Sequence, residues 1–327
     1  MSWGVSSCEQ NSEVDLQDLL SMNSHPLAIA LFRGGRRKSL KSNAYFSSSI
    51  VSAVPIEKYL CKGSCVLKHE NNLIAIYKPP HVLSQPQNID LSTSTEHKIN
   101  IDVKKKVSVI TLPYDNENEY YYDDNQKNSN DVKVKFWLLH RLDAETSGIL
   151  LLSCDEHVAS EVKRLFSIGK IEKKYHAIVF GEWTSKKQES WITPLIVKKY
   201  KNRVMTEINT QTSRGRLART KVRVIKRIVL RKIMLLELLP KTGITHQLRV
   251  QCQHEKVPII GDRIYGDFKK NKAYRNLGEI QNRLYLHASK LVVPLELLRQ
   301  TDAQICKKIT FEVTSHLPSS FVDLMKL

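Results

Sequence analysis

This chain is short of acid, of cysteine and of long apolar runs, and each shortage narrows what it can be. Against 51 Lys and Arg it has only 33 Asp and Glu, a formal charge of +18. That imbalance points to a polyanionic partner, most often nucleic acid, without saying what is done to it. The six cysteines are too few and too scattered for a disulfide scaffold, and no secretory h-region opens the sequence. A reducing, intracellular compartment is expected, either cytoplasm or nucleus. No apolar run approaches the ~18 residues of a membrane span. The 41% apolar content is nonetheless enough for a sizeable core, which excludes wholesale disorder.

Acid is also missing locally. Between Leu19 and Ile56 there is none, while Arg33, Arg36, Arg37, Lys38 and Lys41 sit among Ser and Ala. That composition suits a basic arm or an organellar address, such as a mitochondrial one, although acids precede it. Residues 1–66 are therefore read as an extension, disordered or targeting. From Val197 to Lys232 there are thirteen Lys or Arg and a single acid, Glu207. Within it Arg219-Thr-Lys-Val-Arg-Val-Ile225 alternates as a strand with one basic face. Tyr114 to Asp131 is the opposite, with six acids, five Asn and four Tyr, and reads as a solvated, disordered insertion. Cys61, Cys65 and His69 could share a side of a helix, but no fourth ligand accompanies them, so no metal site is expected.

From Asn71 onward the pattern is that of a packed domain. Leu73–Tyr77 is an apolar strand that Lys78-Pro79-Pro80 should stop. Phe136–Leu139 and Ile149–Leu152 are further strands, with His140-Arg-Leu-Asp143 between them. Asp155 is placed to cap a helix that carries Val158, Val162, Leu165 and Phe166 on one face and ends at Gly169. Ile171–Phe180 reads as a strand with Tyr175, Ala177 and Val179 on one face and Lys174, His176 and Ile178 on the other. Strands are expected within Ala218–Leu230, within Ile233–Leu239 and around Ile309–Val313, and Thr245 should cap a short helix through His254. Many strands and few helices argue for an α+β fold with a mixed or antiparallel sheet.

Three polar segments are delivered by apolar strands or turns. In an extended His140-Arg-Leu-Asp143, Arg141 and Asp143 point one way and Leu142 into the core. Lys174-Tyr175 offers a ring with a polar tip, able to stack on a base. Thr242-Gly-Ile-Thr-His-Gln-Leu-Arg249 feeds a helix start that presents Arg249. If they converge, a guanidinium holds a carboxylate ionised, as a nucleophile requires.

These segments also carry a resemblance. His140-Arg-Leu-Asp-Ala-Glu-Thr-Ser-Gly148 resembles the HRLDxxTSG signature of the RluA-type pseudouridine synthases. Thr242–Arg249 resembles their TGRTHQxR motif, and Pro258–Gly266 their PIxGDxxYG continuation. Tyr77-Lys78-Pro79, Lys174–Val179 and Leu286-His287-Ala288 match three further segments, all in the family's order. The resemblance implies isomerisation of uridine to pseudouridine in rRNA or tRNA, without metal or organic cofactor. It implies a pseudouridine-synthase-like mixed, mainly antiparallel sheet with flanking helices and a central catalytic cleft. Carried over residue by residue, Asp143 is the nucleophile, Tyr175 stacks on the base and Arg249 pairs with Asp143. Arg141 fills the gap left by the flipped uridine. Lys78, Lys174, Arg219, Lys221 and Arg223 are expected to contact RNA. The catalytic domain would run from 67 to 327, with a low-complexity insertion at about 87–134, and act as a monomer.

Four positions depart from the family pattern. Ile244 replaces a usual Arg and Ala144 a frequent Lys or Arg, which should weaken contacts to RNA or nearby loops. His81 and Lys256 replace usual glycines, so loop geometry should differ there. A non-catalytic RNA-binding or assembly factor on the same fold is the alternative reading. His140, His246 and His287 are read as structural, because the implied chemistry needs no imidazole.

Overall fold

The computed structural model describes residues 55–86, 107–123, 134–183, 189–200, 203–209, 215–295 and 310–326. The extension up to residue 54, with nearly all of its acid-free basic stretch, lies outside the described residues, as do 87–106 and 124–133 of the insertion.

Thirteen strands are found among the described residues. They are β1 (Cys65–Glu70), β2 (Leu73–Lys78), β3 (Tyr114–Asp115), β4 (Tyr120–Tyr122), β5 (Lys135–Leu138), β6 (Ser147–Ser153) and β7 (Glu172–Phe180). There follow β8 (Glu189–Tyr200), β9 (Arg203–Ile208), β10 (Arg216–Ile228), β11 (Ile233–Pro240), β12 (Leu286–Pro294) and β13 (Thr310–Thr314). Four helices flank them: α1 (Glu156–Ser167), α2 (Gln247–His254), α3 (Phe268–Asn276) and α4 (Ser319–Lys326). The sheet runs β3-β4-β5-β6-β12-β7-β11-β10-β8-β9, with β1-β2 joined to β6 and β13 to β12. This is the expected mixed, mainly antiparallel α+β architecture. The parallel pair is β12 with β6, aligned at His287–Ser147 and Ala288–Gly148. Gly148 has φ +118, and a Cβ there would lie 2.2 Å from the Ala288 carbonyl oxygen. Only glycine lets the two strands meet.

Local chemistry explains most elements. The Asp155 carboxylate accepts from the Val158 amide and starts α1, whose Ala159, Val162 and Leu165 are buried. Burial of Val162 and Leu165 contributes about 1.5–3 kcal/mol each. Thr245 does not cap α2. The cap position is His246, with no capping bond of its own, and Gln247 Oε1 instead accepts from the Ile244 amide and the Thr242 hydroxyl. The Val197–Lys232 stretch is not one strand but the end of β8, β9 and β10.

The packed core begins upstream of residue 67. Ile56 and Tyr59 of a 3-10 turn are buried, and β1 pairs along β2. Nor is the acidic segment merely solvated. Its β3-β4 hairpin pairs with β5, and Val109, Ile110, Leu112 and Tyr121 are buried with Ile74, Leu138 and Leu150. The polar composition of 114–131 masked this, because one buried tyrosine per hairpin gives no readable period.

The two positions where the resemblance expects glycine have positive φ, +67 at His81 and +60 at Lys256. Lys256 follows the end of α2, its amide bonding to Gln253 O and the Val257 amide to Cys252 O, the hydrogen bonds of a Schellman turn. A side chain in this left-handed conformation is unfavourable. Lys256→Gly is expected to stabilise the fold by about 0.5–1 kcal/mol, read as a shifted urea midpoint at unchanged slope.

Candidate active site

A cleft of about 1520 Å³ crosses the sheet near its centre, lined by the loop after β5, by β7 and by the start of α2. Asp143, Tyr175 and Arg249 all line it. The sequence reading placed these three together, and the fold brings them there from separate elements.

Arg249 is 3% exposed, so its charge has to be matched. Its Nε and Nη2 donate to the two Asp262 oxygens at 2.7 and 2.8 Å. Its Nη1 donates to Asp143 Oδ2 at 3.2 Å. Burial opposes the guanidinium charge, but the two carboxylates outweigh it and raise its pKa further. Asp262 is itself buried, which works against ionisation, yet Arg249 and the Ile264 and Tyr265 amides hold its carboxyl below the usual range. Sequence reading quoted Asp262 within a motif but gave it no task. Its signal was a carboxylate in a Gly-Asp turn, which looked like loop chemistry.

Asp143 itself lies in an extended loop with Leu142 buried, as alternation requires. Ser84 clamps that loop, accepting from the Leu142 amide at 3.0 Å and donating to its carbonyl at 2.9 Å. The Tyr121 hydroxyl in turn donates to the Ser84 carbonyl. Neither residue was foreseen, since a single Ser and a single Tyr carry no motif. Tyr175 is half-buried, and burial first, then the Asp143 charge, raises its hydroxyl pKa. The ring therefore stays neutral and available for stacking.

Two histidines are structural. His140 Nε2 accepts from the Leu151 amide, the ring packs on Phe166, and burial pulls its pKa to about 3. His287 bonds Ser147 Oγ and is likewise lowered to about 3 by burial.

Several residues expected to contact RNA do not line the cleft. Lys78 is fully buried, its ammonium donating to the carbonyls of Pro79, Val82 and Ala144 at 2.9, 2.7 and 3.1 Å. Burial lowers its pKa to about 7, against the pull of Asp143 and Glu145. It holds the loop that carries Asp143 and presents no surface to the cleft. Lys174, Arg219, Lys221 and Arg223 belong to the far side of the sheet. Directly paired residues of antiparallel strands share a face. Tyr175, Leu238 and Val222 align across β7, β11 and β10, whereas His176, Glu237 and Arg223 align on the opposite face. There Glu237 pairs with Lys174 at 2.6 Å and Arg223 at 3.0 Å. Arg219 and Lys221 share that face by alternation. The cations that do line the cleft are Arg141, as expected, with Lys163, Lys173, Lys199, Arg216 and Lys241. Lys173 and Arg216 were one or three positions away from the residues chosen, and the period of two decides between them. Burial and then Lys241 lower the Lys173 pKa to about 8. Ile244 is buried with Leu195, Ala218 and Val250, so the departure from Arg serves packing. Cys61, Cys65 and His69 do not gather, and no cluster of three metal-ligating side chains occurs among the described residues.

A family model described as RNA pseudouridylate synthase matches residues 72–254. The chain belongs to this family. Its relatives include the tRNA pseudouridine synthase C of Vibrio parahaemolyticus, 36% identical over 162 residues, 47% of this chain and 64% of that protein. The tRNA pseudouridine synthase C of Pectobacterium carotovorum is 29% identical over 283 residues, covering 82% and 68%. The ribosomal large subunit pseudouridine synthase C of Haemophilus influenzae is 33% identical over 153 residues, 46% of this chain and 45% of that one. The matched region thus spans less than two thirds of the length of the Vibrio and Haemophilus relatives. Among solved structures, the human RNA Pseudouridylate Synthase Domain Containing 4 has a TM-score of 0.52 at 22% identity, covering 80% of this chain and 91% of that one. It shares the fold. No helix among the described residues is long and apolar enough to cross a membrane.

Lys78→Met keeps the volume and removes the donor from three buried carbonyls. Unfolding in urea should show a loss of about 2–3 kcal/mol, and an unchanged midpoint would contradict the clamp.

Proposed function

We propose that this chain isomerises uridine to pseudouridine in structured RNA, tRNA or rRNA, with Asp143 as the nucleophile on a flipped uridine. The observation that carries this reading is the guanidinium of Arg249, locked by Asp262 with one N–H edge left for Asp143 at the wall of an open cleft. A merely structural ion pair needs no third partner facing solvent. Asp143 is 26% exposed at its side chain, enough to be reached by a substrate.

In this reading the anchored guanidinium holds the Asp143 carboxylate by its Oδ2 and fixes its orientation toward the substrate. The Tyr175 ring offers a stacking face, and Arg141, exposed at the cleft edge, takes the place of the uridine that leaves the helix. The target's N-glycosidic bond and the bond made to Asp143 both break, the ring is rejoined to the sugar through carbon 5, and the carbon 5 proton leaves while ring nitrogen 1 gains one. The cleft cations steer and hold the phosphates. Both tRNA and ribosomal RNA stand in the names of relatives, which supports a structured substrate of either kind.

Purified protein should release tritium from RNA labelled at uridine carbon 5. Asp143→Asn should reduce release by more than about a thousandfold while RNA affinity changes little. Equal, background release from wild type and variant on total cellular RNA would favour the non-catalytic binding factor. A second measurement separates the two basic surfaces. Arg216→Ala should weaken RNA binding and lower the salt slope by about one, whereas Arg219→Ala and Lys221→Ala should leave binding nearly unchanged.

A further inference from the structure

The proposed reaction gives His246 no task, yet the fold holds this residue in a conformation that side chains rarely adopt, with φ +55. Its ring stands edge-on to Tyr265, at 5.5 Å between centroids, and lines the cleft. Strain at a cleft residue, kept by packing around it, motivates asking what the ring does.

Tyr265 decides which ring nitrogen carries the proton. The Thr206 amide donates to the Tyr265 hydroxyl oxygen at 2.9 Å, and an amide N–H cannot accept. The phenolic proton then has His246 Nδ1, at 2.9 Å, as its acceptor. With Nδ1 accepting, the neutral imidazole bears its hydrogen on Nε2. Burial lowers the His246 pKa, against the attraction of Asp143, so the ring is neutral at pH 7. Nε2 lies 3.8 Å from Asp143 Oδ2, the same oxygen that accepts from Arg249 Nη1. Among the described residues no hydrogen bond engages Oδ1. Contacts of this length commonly tighten once substrate is bound.

We propose that His246 is a positioning residue for Asp143: as a neutral Nε2–H donor it joins Arg249 on Oδ2 and leaves Oδ1 as the oxygen that meets the uridine. This rests on Asp143 being the nucleophile. The same chain of contacts reaches β9, because Thr206 also donates through its hydroxyl to the Thr245 carbonyl at 2.6 Å. Lys199 and Val204 of the β8-β9 hairpin line the cleft, so the hairpin that would lie along the RNA is tied to the orientation of Asp143.

The test is 15N NMR of the full chain labelled at histidine, with His246 assigned by its loss in His246→Gln. If that variant does not fold, the resonance is assigned by its displacement in Tyr265→Phe, which keeps the ring and removes one hydroxyl. At pH 7.5 the His246 pair should show a protonated Nε2 and an unprotonated Nδ1, and Tyr265→Phe should turn that single tautomer into a mixture. In tritium release the same variant should lower kcat about tenfold and leave KM within about twofold. A proton on Nδ1, an imidazolium, an unchanged tautomer in Tyr265→Phe, or a loss confined to KM would each overturn the proposal. Failure of the nucleophile reading is separate: it would appear as activity retained by Asp143→Asn, whatever the tautomer.

Discussion

The structure around the cleft depends on one buried positive charge. Arg249 cannot be placed at 3% exposure without a fixed counter-charge, and removing a partner from such a pair costs about 3–5 kcal/mol. Asp262 supplies it in two parallel hydrogen bonds, which also set the plane of the guanidinium. Asp262 is itself fixed by the turn it begins, through the Ile264 and Tyr265 amides. That turn needs Gly261, whose φ is +77 and where any Cβ would lie 1.8 Å from the Arg283 carbonyl oxygen. A glycine, an aspartate and an arginine thus fix where the remaining N–H edge points, and Asp143 sits there.

Asp143 arrives from the other side of the molecule, and its loop needs separate support. Three groups provide it: the Ser84 hydroxyl on Leu142, the Lys78 ammonium on Ala144, and Gly148 against β12. Behind Ser84 stands Tyr121, from the hairpin inside the acidic insertion. The insertion is therefore mechanically part of the footing of the loop that carries Asp143. Glu117 and Glu119 do not conflict with this, because they are exposed while the Tyr121 ring and hydroxyl face inward.

Legibility in the sequence followed periodicity and broke where periodicity is silent. β2, β6, α1, β7 and β11 could be read because their apolar spacing is long enough to exclude alternatives. Asp143, Tyr175 and Arg249 could be read because each sits in a polar segment that an apolar element delivers, and because six segments match the family in order. The β8-β9 hairpin and the β3-β4 hairpin could not. The first is basic and half exposed along its length, and the second is three or fewer residues per strand. Ser84 and Tyr121 act through hydrogen bonds across long stretches of chain, and Asp262 through a side-chain pair with Arg249, which no apolar period records. At Lys256 the Schellman bonds hold the backbone left-handed although the residue is not glycine, and residue type alone does not announce that.

The charge excess takes its meaning from the two faces of the sheet. Composition suggested a basic strand beside the cleft, and β10 does run there, but alternation sends Arg219, Lys221 and Arg223 away from it and leaves Arg216 facing in. On the far face Glu237 neutralises part of what remains, tying Lys174 and Arg223 together across three strands. On the near face the cations come from separate places in the chain, and one is both perturbed and bound by its surroundings: Lys173 is lowered to about 8 and donates to the Thr242 carbonyl. A cleft assembled in this way holds a polyanion through shape as well as through charge. Its walls are fixed by the same elements that fix Asp143, so the cations and the carboxylate keep one geometry relative to each other.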